Sequence, residues 1–425
     1  MHPQQLAEQA LALMRRQGFD AAMAEASEHR LAELNVAHNE PALMRSTQRH
    51  KLALLGLLDG RRASTELDDL GDESLARSVA ELYAAARAAP QDAANAVSAG
   101  QRANIEQGPL HADPAVMADT MIELLAWRAQ SAPSVTLEEG LVSHHDLGAH
   151  TATSGGSSLA CRLGWYEIMA MGTAREGERS SSFNYAGGMC HQLADEPAPA
   201  RFGIGTMLSD LTRSVHTQPV KESFVGDVVL TPQAVGSLLA WLRGQLADLA
   251  LISGTSIYRE RVGTAIASPL VDLTSRFDAP GVAALSADGF VATPGELLRE
   301  GRLLTLTPSF YGSRKTGLPH VPLAASGWAM AAGDTPLADV IAGVRRGALV
   351  GRLSMGSPAA NGDFSGVIKN SFLIDGGAVG GALAEVMVSG NMAQMLRDVL
   401  AVSRERLDTG DSLLPWVRIG GLHFS

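Results

Sequence analysis

The run from Gly226 to Ala250, GDVVLTPQAVGSLLAWLRGQLADLA, changes its hydrophobic period in mid-course. Asp227–Leu230 reads as a strand. Thr231 then offers a capping hydroxyl, and Pro232 suits a first helical position, where its missing N–H costs nothing. Val235, Leu238, Leu239, Leu242, Leu246 and Leu249 recur at helical spacing, which predicts one buried apolar face. The N-terminal region starts with an amphipathic helix over 3–17, closed by Gly18. Alternating segments follow at 20–28, 31–39, 44–48 and 50–58. Asp59-Gly60 is a hairpin turn leading into a strand at 61–66, and a second helix runs from Asp72 to Pro90. This order predicts an antiparallel sheet with helices on one face.

Residues 90–112 hold few large apolar groups and read as a surface crossing, and Asp113-Pro114 starts a third helix that Pro133 closes. From Ser134 short strands and Gly/Ser turns predict a β-meander at 135–144, 150–154, 159–173 and 179–185. A helix is expected over 202–217. The C-terminal part alternates strands, turns and a few helices, including one over 337–345 and one after Asn391 that carries Met395, Leu396, Val399 and Leu400. The expected class is therefore α+β: an N-terminal α+β domain over 1–130, with a boundary anywhere in 90–200, and a strand-rich region over 131–425. The later boundary applies if the meander extends the first sheet.

Composition narrows the function. The 425 residues suffice for two or three domains, with 46% hydrophobic and 19% charged residues, as in ordinary globular chains. The 44 Gly and 19 Pro favour many turns. A net charge of −11 argues against a nucleic-acid surface. The paired Arg345-Arg346 reads as a solvated helix end. Two Cys, Cys161 and Cys190, without a CxxC pair fit a reducing cytoplasm. The start, MHPQQLAEQALALMRRQG, lacks the plan of a signal peptide, and no apolar run is long enough to span a membrane, so a cytoplasmic location is expected.

Chemical motifs are sparse. There is no HExxH, HExxxH, GxSxG, Walker loop or GxGxxG; Gly376–Gly381 has the wrong spacing and falls in a hairpin. His144, His145 and His150 lie close together. On a strand His144 and His150 share one side and His145 the other. With Cys190 and His191 they form the weaker alternative, a self-sufficient metallohydrolase whose metal set would be His144, His150, Cys190 and His191. Adjacent Cys190-His191 seldom makes a nucleophile–base geometry.

Two stretches carry a family likeness. The strand–helix at 226–250 resembles the metallopeptidase half of the TldD/PmbA ("modulator of DNA gyrase") family, whose helix reads GVLLHEAVGH. There, two His bind zinc and the Glu is the base. In this chain Ala240, Trp241 and Gln245 stand where His, Glu and His would fall. Alanine has no lone pair, tryptophan only donates and a neutral amide is a poor zinc ligand, whereas catalytic zinc needs about three good ligands. The last residues, SLLPWVRIGGLHFS, also lack the Cys that the likeness would place there.

The second stretch runs from Asn361-Gly362-Asp363-Phe364-Ser365-Gly366 through Asn370 to Ser389-Gly390-Asn391-Met392. It resembles the family's "tGdFS…G…ienGe…v.e.tisGNl.dml" ending. Asp278-Ala279-Pro280-Gly281, Ala287-Asp288-Gly289-Phe290 and Lys315-Thr316-Gly317 resemble shorter elements of the non-catalytic TldE/PmbA half. The likeness covers about residues 200–425. It implies a chain that binds no cofactor itself and partners a TldD-like metallopeptidase subunit that carries the zinc. The pair would process or degrade small or unfolded peptides, and a homodimer is expected when the partner is absent. Substrate-binding candidates are Asp363, Phe364, Ser365, Asn370, Ser389, Gly390 and Asn391. An extended peptide would add to an exposed strand edge near these residues or before Thr231. Read without the likeness, the same residues form turns and a helix cap. A non-enzymatic, gyrase-modulating binding protein is a third reading.

Overall fold

The computed structural model describes residues 2–277, 279–323 and 327–425. Helix α1, Pro3–Gln17, begins where Gln4 N–H donates to the His2 ring and ends at Gly18, whose φ of 100° is the left-handed conformation a helix stop favours. Strands β1, Ala21–Ala37, and β2, Glu40–Leu58, are each continuous. The four short segments expected at 20–58 are thus one long hairpin. Its turn is His38-Asn39, at φ 51° and 71°. Strand β3, Arg61–Leu67, returns after the Asp59-Gly60 turn, and α2, Asp72–Ala88, follows.

The surface crossing contains a strand that its composition hides: β4, Arg102–Gln107. It pairs in parallel with β6 at the sheet edge, with Arg102 opposite Ser158 and Gln107 opposite Leu163. After α3, Pro114–Ser131, capped by Asp113, the meander forms β5, Val135–Thr153, and β6, Ser158–Glu176. Strand β5 pairs along β1, from Val36 opposite Gly140 to Met23 opposite Thr153. The path of this sheet is β3-β2-β1-β5-β6-β4, so its hydrogen bonding crosses residue 130 and continues to the strand Asn184–Cys190.

One face of that sheet carries the helices. The alanines Ala22, Ala24 and Ala26 present a shallow surface on which Ala7 and Ala10 of α1 approach closely, together with Leu52, Leu54, Leu75 and Leu82. Farther along the same face, Met117, Met121 and Leu124 of α3 pack with Val142, Ile168 and Ala170. Helix α4, Ile204–Arg213, adds Leu208 and Leu211. It is shorter than expected, because 217–218 are already a strand. The opposite face meets the C-terminal part: Val291 N–H donates to Gln101 Oε1 at 3.2 Å.

Among the described residues the second sheet has fourteen strands. Its centre is the strand Phe224–Leu230, parallel to Arg346–Val350 on one side and antiparallel to Ser412–Phe424 on the other. Helix α5, Pro232–Leu246, leaves this strand with the Thr231 side chain as cap. Val235, Leu238, Leu239, Leu242 and Leu246 are buried against Leu414, Val417 and Ile419. Leu249 departs from that pattern and is 85% exposed. Ala247 adopts an extended conformation (φ −103°, ψ 172°), so a separate short helix α6, Asp248–Ser253, begins there and the apolar phase is lost. The helix after Asn391 likewise ends early, at Arg397. Val399 and Leu400 belong to the next strand, and Leu400 is 52% exposed. No helix among the described residues is long and apolar enough to cross a membrane.

Candidate functional site

Trp241 and Gln245 of α5 and the residues singled out in the C-terminal stretch come together, Asn370 excepted. The strands Asp363–Lys369 and Val386–Asn391 pair antiparallel, which places Asp363 opposite Asn391, Phe364 opposite Gly390 and Ser365 opposite Ser389. Asn391 ties the corner: its side-chain amide donates to Asn361 O at 3.0 Å and to Asp363 Oδ1 at 2.8 Å, and its Oδ1 accepts the Gln394 N–H. Asn361 Nδ2 donates to the other Asp363 oxygen at 2.7 Å. The hydrogen bonds from Asn391 and Asn361 hold the Asp363 carboxyl below the usual range. Phe364 is core, and Gly390 leaves room for its ring: a Cβ there would lie 3.3 Å from the Phe364 edge. Asn370 is the exception. It lies beyond the far end of its strand at φ 51°, with side-chain atoms that are buried and have no partner among the described residues.

Helix α5 closes the other side of this corner. Gln245, 7% exposed, bridges two loops: its Nε2 donates to Ala360 O at 3.2 Å and its Oε1 accepts the Ile257 N–H at 3.1 Å. Both polar atoms of the side chain are thereby spent on backbone. Trp241 packs edge-on to Tyr258, with ring centroids 6.0 Å apart, and lies under Gly362, where a Cβ would come within 3.1 Å of the indole. Gly362 is also at φ 96°, so backbone conformation and space both select glycine. Ala240 is exposed. The three positions are thus a surface methyl, a ring filling space and an amide clamp.

Between the two loops is a pocket of about 580 Å³, lined by Ile257, Tyr258, Arg261, Asn361, Asn391, Ala393, Gln394 and Arg397. Tyr258 is 2% exposed, and its hydroxyl, like the Trp241 indole N–H, has no partner among the described residues. Burial pushes the Tyr258 hydroxyl up to about 12, against the nearby guanidinium groups of Arg397 and Arg261. Sequence reasoning missed Tyr258, Arg261 and Arg397, because no local spacing links a turn after α6 to a helix end more than a hundred residues on.

The strand edges expected to accept a peptide are largely taken. Phe224–Leu230 is flanked on both sides, and the strands 363–369 and 386–391 pair with each other. Asp278 of the acidic-Pro-Gly element lies outside the described residues. Gly317 ends a short helix, Phe310–Thr316, at φ 76°, and Gly289 turns at φ 81° beside Ser98 and beside Met23 of the first sheet.

The histidine set disperses. His144 and His150 do share a face of β5, but His144 Nε2 bonds to Pro109 O at 2.8 Å, and His150 pairs with Ser158 Oγ at 3.3 Å. Tyr166 lies opposite both His144 and Cys190 and stands between them in the sheet. Burial holds the His144, His150 and His191 imidazoles below their ordinary value and pushes the Cys190 thiol up. Among the described residues no three His, Cys, Asp or Glu side chains are placed to hold a metal. The opposite face of the sheet holds a chain the sequence did not signal: Ser143 Oγ, His145 and His29, each link 3.0 Å. Ser143 is 1% exposed, too enclosed to meet a substrate carbonyl. A larger cavity, about 960 Å³, lies on the helix-bearing face between α1 and β4, where Arg30 and Arg162 already flank Asp146.

The fold is that of a known class of α+β proteins. A candidate modulator of DNA gyrase from Bacteroides thetaiotaomicron superposes with a TM-score of 0.86 at 21% identity, over 99% of this chain and 98% of that one. TldE from Thermococcus kodakarensis gives 0.82 at 17% identity, over 98% and 99%. A candidate gyrase modulator from Thermotoga maritima gives 0.79 at 14%, over 99% of each chain. No curated protein matches the sequence. Residues 224–425 match the family model described as the PmbA/TldA metallopeptidase C-terminal domain. By that match residues 224–425 belong to the TldD/PmbA family, and the whole chain shares the fold of the three structures.

Proposed function

We propose that this chain is a metal-free, TldE-like subunit that works beside a zinc-bearing TldD-type metallopeptidase in the cytoplasm, where the pair trims or degrades small or unfolded peptides. The single observation that carries the reading is the state of Gln245. A zinc ligand must keep a lone pair directed at the ion; this side chain spends its oxygen on Ile257 N–H and its nitrogen on Ala360 O. Ala240 and Trp241 supply no ligand at the neighbouring positions. What the residues do offer is a walled pocket with two arginines, suited to holding part of a peptide. In this reading the chain contributes wall and binding surface, and bond cleavage belongs to the partner. A homodimer is the resting form when that partner is absent.

Co-expression with a family member that carries HExxxH tests the assembly. A tagged copy of this chain is expected to capture that relative in equal amounts at physiological salt. Recovery of this chain alone, as monomer or homodimer, with every such relative from the same genome contradicts the proposal. The gyrase-modulating reading gains no specific support from the geometry described above.

A further inference from the structure

The pocket beside α5 has a chemistry of its own. Its lining holds two guanidinium groups and no carboxylate. The acidic side chains around it are otherwise engaged: Asp363 is bound by Asn361 and Asn391, Asp398 accepts from Gln394 Nε2 at 2.7 Å, and Glu260 lies 3.7 Å from Arg259. The amides on the wall are spent in the same bonds, so the donors left for a ligand are those of Arg261 and the remaining N–H groups of Arg397, whose Nε reaches Gln394 Oε1 at 3.3 Å. Beneath them Tyr258 keeps an unpartnered hydroxyl at 2% exposure, a group that costs stability unless something eventually bonds to it. Ile257 and Ala393 give the pocket an apolar side.

We propose that this pocket binds the C-terminal carboxylate of a peptide, with Arg261 and Arg397 on the carboxylate, Tyr258 donating from below, and the terminal side chain, an apolar one, against Ile257 and Ala393. Guanidinium groups match a planar carboxylate in shape and charge. The peptide part rests on the function proposed above; the carboxylate part rests only on the pocket. Gln245 fixes the opening, since it holds the Ile257 wall and the Ala360-Asn361 wall at a set separation.

Calorimetric titration of the full chain with two tripeptides of one sequence ending in leucine, one a free acid and one an amide, tests this, with inorganic phosphate as competitor. The acid is expected to bind at least about tenfold more tightly than the amide, the value of one charge-assisted contact. Arg261→Gln and Arg397→Gln each weaken the acid about tenfold and leave the amide unchanged. Tyr258→Phe weakens it several-fold without lowering the unfolding midpoint, because the lost hydroxyl had no partner in the free protein. Phosphate displaces the acid. Equal affinity for acid and amide overturns the proposal, as does acid binding that survives both arginine changes, or phosphate binding that the acid peptide does not displace. A chain that captures an HExxxH relative but shows no acid preference loses this inference alone. Acid preference in a chain that captures none sinks the assembly and keeps the pocket.

Discussion

Strand β5 and helix α5 relate residue type to geometry in opposite ways. Strand β5 carries the side chains of metal and acid–base chemistry, His144, His145 and His150, yet the sheet sends them to different faces and gives each its own partner. Helix α5 carries Ala240, Trp241 and Gln245, which offer no such chemistry, yet it sits at the corner where two loops, two paired strands and a pocket converge. Residue type alone points to the first region; position in the fold points to the second. At this corner Trp241 and Gln245 serve as wall and clamp.

The largest effect that would separate these roles is at Gln245. Gln245→Ala removes two hydrogen bonds and a buried side chain and should cost about 2–4 kcal/mol in chemical denaturation. A loss near zero would mean that the amide clamp is incidental and that the position is free for other use. Asn391→Ala should come next, at about 1–2 kcal/mol, since it deletes a helix cap together with two bonds across the strand pair. A change confined to noise would show the corner to be held by strand pairing alone.

The β5 region should answer to pH instead. Burial holds His29, His144, His150 and His191 below the ordinary histidine value of 6.5, and His145 lowers His29 further. Above 6.5 both folded and unfolded chains are neutral at these groups. As pH falls below 6.5 the unfolded chain takes up protons first, so stability declines until the folded groups also titrate. The unfolding midpoint should therefore drop between pH 7 and pH 5.5, and His144→Gln should flatten the slope. A midpoint that rises over this range would mean that these imidazoles gain partners as cations, the behaviour of a charged site rather than of packed side chains.

Much of the fold was legible because its punctuation is local. Pro3 and Gly18 bracket α1, Asp59-Gly60 turns the second hairpin, and Thr231-Pro232 starts α5. The β1–β2 turn was not, because His38-Asn39 takes positive φ without a glycine, a weaker signal than Asn-Gly. Strand β4 hid for another reason: an edge strand of Arg, Ala, Asn, Ile, Glu and Gln needs only a modest apolar face. Leu249 misled because spacing alone cannot show the extended residue at 247 that resets the phase. At the site, the pairing of Asp363 with Asn391 was foreshadowed by the two polar turns, whereas Tyr258, Arg261 and Arg397 meet only through tertiary packing.

Zinc content and peptide hydrolysis, measured together on the purified chain, on an HExxxH-bearing relative and on their mixture, test the central claim most directly. The account predicts no stoichiometric zinc and no chelator-sensitive hydrolysis for this chain by itself, and hydrolysis by the mixture that exceeds that of the relative alone. One zinc per chain that disappears in Gln245→Ala, or chelator-sensitive cleavage by the lone chain, would contradict it.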